Sequence, residues 1–153
     1  MSHDQTTTEQ HTNRALLLDT DLFFSVKITD TLKHVGYTTR TCRRTDDFAA
    51  ALTAEQPVVA LVNTAARNLD WRAAISAARA AHVPVIAFGS HVDLAIQEAA
   101  RQAGATSVIA NSRLASDLPG VLARTLRRQT GEPSSTEAPS GAPDRAHNTS
   151  SNT

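Results

Sequence analysis

With 153 residues, the chain is long enough for one domain with its own core. Fifteen basic residues balance fifteen acidic ones, which gives no overall electrostatic case for binding nucleic acid or an anionic membrane. A hydrophobic fraction of 41% with only 4% aromatic residues points to close helix–sheet packing by small side chains.

The single cysteine, Cys42, excludes an intrachain disulfide and fits a reduced, cytoplasmic setting. It reads as a small apolar residue in a strand. No apolar run approaches the roughly 20 residues of a membrane span. The opening "MSHDQTTTEQHTN" (1–13) lacks the apolar segment of a secretory signal and is expected to be a disordered lead. The Ser-, Thr- and Pro-rich stretch 129–153 has almost no large apolar side chains, so its burial would not offset chain entropy, and it is expected to be a disordered tail. Residues 14–128 are left as the folded part.

"RALLLD" (14–19) reads as a short apolar strand. From Asp21 to Val35, Phe24, Ile28, Leu32 and Val35 fall on one helical face, and Gly36 closes the helix. "YTTRTCRR" (37–44) is a polar, β-branched strand whose arginines suit a sheet edge. Thr45 or Asp46 can cap a helix through 48–56. "PVVALVN" (57–63) is apolar up to its last residue, as in a parallel strand buried on both faces. Asp70 caps 71–81, where Trp71, Ile75 and Ala78 form a stripe. "VPVIAFG" (83–89) is a second fully apolar strand. Asp93 caps 94–103 and Gly104 ends it, with Ile96, Ala99, Ala100 and Ala103 facing inward. "TSVIA" (106–110) is the fifth strand, and 116–129 is the last helix, with Pro119 in its first turn. Strand and helix alternate five times. That pattern predicts an α/β, flavodoxin-like three-layer fold with a five-stranded parallel sheet in the order 2-1-3-4-5.

"LLLDTD", "PVVALVN", "VPVIAF" and "QAGATSVIANS", in this order and spacing, resemble a response-regulator receiver domain of the chemotaxis-regulator type across residues 14–128. The resemblance implies an acidic pair after the first strand and a phospho-accepting Asp after the third. It further implies a hydroxyl residue after the fourth strand, a Lys after the fifth and an aromatic within the fifth. Here Asp19 stands in the first acidic position and Thr20 in the second, with Asp21 adjacent. Asn63 occupies the acceptor position and Gly89 the hydroxyl position, with Ser90 next to it. Asn111 replaces the Lys, Val108 the aromatic, and Ser112 the proline that usually follows the Lys.

Acyl phosphate formation needs a carboxylate nucleophile and a divalent cation on the phosphoryl oxygens. An amide at position 63 supplies no such nucleophile, and magnesium prefers anionic oxygen ligands that are depleted here. These substitutions define a degenerate site, a pseudo-receiver with no cofactor and no metal, and no catalysis is expected of it.

The polar residues expected at the strand ends, Asp19, Asn63, Thr64, Ser90, His91, Asn111 and Ser112, leave several readings open. They are solvated strand ends, or a remodelled pocket for a small polar or anionic ligand with His91 as a contact, or a network that mimics one signalling state. His82 reads as a helix-end residue serving the dipole. The histidines have no zinc-like spacing. "RTCRR" lacks the aromatic interleaving of a nucleic-acid surface, and no DNA-binding output unit is expected within the chain.

The expected function is that of a stand-alone, phosphorylation-independent regulatory module in bacterial signalling. It would bind a protein partner through the surface of the fourth helix, fifth strand and fifth helix, as a monomer or weak dimer, with no nucleic acid and no membrane. A ligand-binding sensor is the alternative, and an enzyme of unknown type ranks third.

Overall fold

The computed structural model describes residues 13–130. Five strands, β1 (Arg14–Leu18), β2 (Thr38–Cys42), β3 (Val59–Asn63), β4 (Val85–Gly89) and β5 (Ser107–Ala110), alternate with five helices. The helices are α1 (Leu22–His34), α2 (Thr45–Glu55), α3 (Trp71–Ala80), α4 (Leu94–Ala103) and α5 (Asn111–Thr130). The strands form one parallel sheet in the order β2-β1-β3-β4-β5. The expected flavodoxin-like architecture is therefore observed, with the arginine-bearing β2 at an edge.

Side chains alternate across the sheet, so each strand feeds two cores. Leu16, Leu18, Ala60, Val62, Val85 and Ala87 pack on one face with Phe48, Leu52, Ile75 and Ala78 of α2 and α3. Ala15, Leu17, Val59, Leu61, Ile86 and Phe88 pack on the other with Ile28, Leu32, Leu118 and Leu122 of α1 and α5. β3 and β4 are buried along their whole length, as their unbroken apolar runs require. Cys42 is buried, in keeping with its reading as a core residue.

Three helices begin on the aspartate that the sequence nominates. Asp21, Asp70 and Asp93 each accept a backbone N–H three residues on, from Phe24, Ala73 and Ile96 at 3.1, 3.1 and 2.9 Å. The start of α2 differs. Arg44 is its N-cap and gives no side-chain cap, while Thr45 Oγ1 instead accepts from the backbone N–H of Asp70 at 3.2 Å. Val35 differs as well. It lies beyond α1 as the C-cap and is 40% exposed, so the buried stripe of α1 ends at Leu32.

The last helix starts earlier than expected, at Asn111, and breaks at Asp117 (φ −141°, ψ 41°). Leu114 and Leu118 are both buried, so the two segments each contribute an anchor to the same core. Pro119 falls two residues past the break, where its missing N–H costs no helical bond. α5 continues to Thr130, two residues beyond the expected end of the folded part. The lead and tail expected to be disordered lie otherwise outside the described residues. No helix among the described residues is long and apolar enough to cross a membrane.

Candidate functional site

The carboxyl ends of β1, β3 and β4 sit side by side, because Leu18 pairs with Val62 and Asn63 with Phe88. The residues that leave those strands therefore meet. Asp19 follows β1 and is 1% exposed, and Asn63 ends β3 at 6%. Asn63 Nδ2 donates to Asp19 Oδ1 at 2.7 Å, and Asn63 Oδ1 accepts from the backbone N–H of Ala65 at 2.7 Å. These two partners fix the amide's orientation. The flipped amide would set oxygen against carboxylate and NH2 against N–H. Asp19 Oδ1 accepts a second bond, from the backbone N–H of Asp21 at 3.0 Å.

The other expected residues are distributed unevenly. Thr20 is exposed, and the Asp21 carboxylate is turned to the start of α1, where it caps Phe24. Asn111 is half-buried at the start of α5. Ser90 and His91 are exposed on the loop after β4, and nothing among the described residues engages them through a polar contact. The structure thus joins Asp19 and Asn63 through their side chains and Asp21 through its backbone.

Gly89 is buried, and a Cβ placed on it would lie 2.7 Å from Thr64 Oγ1. Thr64 is itself buried. Its backbone N–H and its hydroxyl both donate to the Phe88 carbonyl, at 2.7 and 3.2 Å. The space that a side chain at position 89 would fill thus holds the hydroxyl of the neighbouring strand end. The sequence places Thr64 in the cluster, but its role as the filler of that space is visible only in three dimensions.

Asp19 Oδ1 is taken by two donors, one oxygen of the Asp21 carboxylate caps the helix, and Asn63 presents an NH2 to Asp19, so this donor set offers a divalent cation fewer anionic oxygens than a pair of free carboxylates would. Among the described residues, no three His, Cys, Asp or Glu side chains are grouped to hold a metal. Around this site, two buried oxygens, Asp19 Oδ2 and Asn111 Oδ1, have no hydrogen-bond donor among the described residues.

No protein-family model matches the sequence, and no curated protein matches it. Solved structures do resemble the fold. A receiver domain described as CheY-like from Methanospirillum hungatei JF-1 superposes with a TM-score of 0.70 at 18% identity, over 80% of this chain and 99% of that one. A signal receiver domain from Vibrio parahaemolyticus gives 0.69 at 15% identity, over 79% and 95%. A signal receiver domain from Mycobacterium tuberculosis gives 0.66 at 17% identity, over 76% and 97%. At such identities the likeness speaks for the fold: the chain folds as response-regulator receiver domains do.

Proposed function

We propose that the protein is a phosphorylation-independent, receiver-like regulatory module that acts in cytoplasmic signalling by binding a protein partner. The observation that carries this reading is the 2.7 Å bond from the Asn63 amide to Asp19. It replaces a pair of carboxylates, which would hold a cation and accept a phosphoryl group, by a neutral donor and one engaged carboxylate. The amide has no anionic oxygen with which to attack phosphorus.

The surface of α4, β5 and α5 suits the partner role. Arg101, Arg113, Arg124 and Arg128 line a shallow depression with Val108, Ile109 and Val121, and among the described residues Arg124 alone of the four has an acid partner, Asp117 at 3.2 Å. The module performs no catalysis under this reading. Two measurements test it. Incubation with acetyl phosphate and magnesium should leave the intact mass unchanged, and gain of one phosphoryl group on Asp19 or Asp21 would defeat the reading. Arg113→Glu and Arg124→Glu should abolish co-purification of the partner while melting temperature holds.

The buried acceptors Asp19 Oδ2 and Asn111 Oδ1 favour a second reading, a sensor for a small ligand rich in hydrogen-bond donors. A thermal-shift panel of amines and polyols decides it: stabilisation lost in Asn111→Ala supports the sensor, and no stabilisation by any member removes it.

A further inference from the structure

At the far end of the sheet, beyond the carboxyl ends of α3 and α4, lies an open cleft of about 470 Å3. Arg79, His82 and Arg101 line it, with Gly104 and Thr106 between them. We propose that this cleft binds a small phosphate-bearing anion, of the size of pyrophosphate or a nucleoside diphosphate. The proposal is independent of the strand-end site, which sits at the opposite end of the strands.

The cleft gathers positive charge from the ends of two helices, with Arg101 standing between it and the α4–β5–α5 depression. Among the described residues, neither Arg79 nor Arg101 has an acidic partner. Cations near helix carboxyl ends often serve the exposed carbonyls. Here the backbone closes those ends itself. His82 N–H donates to Arg79 O and Val83 N–H to Ala78 O, both at 2.9 Å, while Gly104 and Ala105 N–H reach Ala100 O at 3.1 and 2.9 Å. The guanidinium groups are therefore left to face solvent across the cleft, and guanidinium is the side chain best matched to phosphate oxygens.

Arg79 is also held in place. Gly104 has φ +120°, and a Cβ there would lie 2.5 Å from Arg79 Cδ and 3.0 Å from Arg79 Cβ. The missing side chain is the bed on which the arginine stem lies, which brings Arg79 onto the cleft wall beside Gly104. His82 occupies the left-handed position, φ +62°, that closes α3, and puts its imidazole on the cleft wall. The volume lies in the usual range for small-molecule sites, about 300–1,000 Å3.

Isothermal titration of the full chain with pyrophosphate and, separately, with ADP tests the proposal, at ionic strength held constant by sodium chloride. Saturable one-site binding of at least one probe is expected. If pyrophosphate binds as tightly as ADP, the phosphates alone are recognised, and tighter ADP means that the nucleoside fills the rest of the cleft. Arg79→Ala and Arg101→Ala should each weaken binding by about tenfold or more, as loss of a charge-assisted bond does. His82→Gly should weaken binding while the melting temperature stays level or rises, a divergence that a purely structural role for His82 would not produce. Absence of saturation by either probe at millimolar concentration overturns the proposal, as does binding that survives the double substitution of Arg79 and Arg101.

Discussion

Asn63 makes two bonds that no ionised carboxylate could make together, donating to Asp19 and accepting from Ala65. Asn63→Ala removes one of two donors from the buried Asp19 carboxylate and leaves the part-buried Ala65 N–H without its acceptor, and should lower stability by about 1–3 kcal/mol in urea titrations. Asn63→Asp should behave differently. The introduced carboxylate would sit against Asp19, and burial and like charge both raise its pKa above the unfolded value. Its penalty is absent at low pH and grows as pH rises through that raised value, so the variant's deficit against the parent should widen from acid to neutral pH. A deficit independent of pH would show that the two side chains move apart. The neighbourhood of Asp19 and Asn63 is legible in the sequence, because both end apolar strands that a receiver-like order makes adjacent. The amide's orientation is not legible, since it depends on the Ala65 N–H. Cys42 shows the simpler case. Burial pushes its thiol up, against the opposing influence of Arg40, so alkylation by iodoacetamide should be slow until the chain unfolds.

At the scale of elements, α2 is tied to two strands of the sheet by the ion pairs of one side chain, in addition to its core packing. Glu55, in its last turn, pairs with Arg14 of β1 and, at 3.0 Å, with Arg40 of β2. Partial burial works against the charged carboxyl, but hydrogen bonds and charge from the two arginines outweigh it and hold Glu55 below its usual range. A depressed carboxyl stabilises the fold above its unfolded pKa, about 4.3, and that contribution is lost as pH falls through the folded value. Glu55→Gln should therefore flatten the acid limb of a melting-temperature profile and leave a constant deficit above it. In β4, Ile86→Ala should cost about 2–5 kcal/mol, because a central strand cannot close over the cavity. Element order and most caps follow from Asp, Gly and apolar spacing. The start of α5 does not, because Asn111 and Ser112 look like loop residues until Leu114 is seen to be buried. The cleft of Arg79, His82 and Arg101 is equally hidden, since it joins the ends of two helices distant in sequence.

For the whole molecule, the two cores close within residues 13–130. The stretches outside that range are poor in large apolar side chains. Deleting 1–12 and 131–153 should shift the melting temperature by less than about 5 °C, which corresponds to roughly 1 kcal/mol for a domain of this size. A larger fall would mean that one of them covers part of the sheet or its helices. The amide network lies at the carboxyl ends of the strands, whereas the α4–β5–α5 depression and the cationic cleft share Arg101. Substitution of Asn63 should leave anion binding at the cleft unchanged, since the two places share no residue, while Arg101→Ala should be felt at both the cleft and the depression.

Thr64 and Gly89 bear on how the site tolerates substitution. The threonine hydroxyl occupies the space of a side chain at 89, and the lack of that side chain is what lets the hydroxyl reach the Phe88 carbonyl. Each residue is permissive for the other, so the pair is epistatic. Gly89→Ser alone meets the Thr64 hydroxyl, and Thr64→Ala alone gives up its bond, whereas the double change should be milder than the sum of the two. A side chain at 89 is therefore reached only through one of two less stable single variants. The exchange between strand ends acts as a catch, each residue holding the other in place against single substitution.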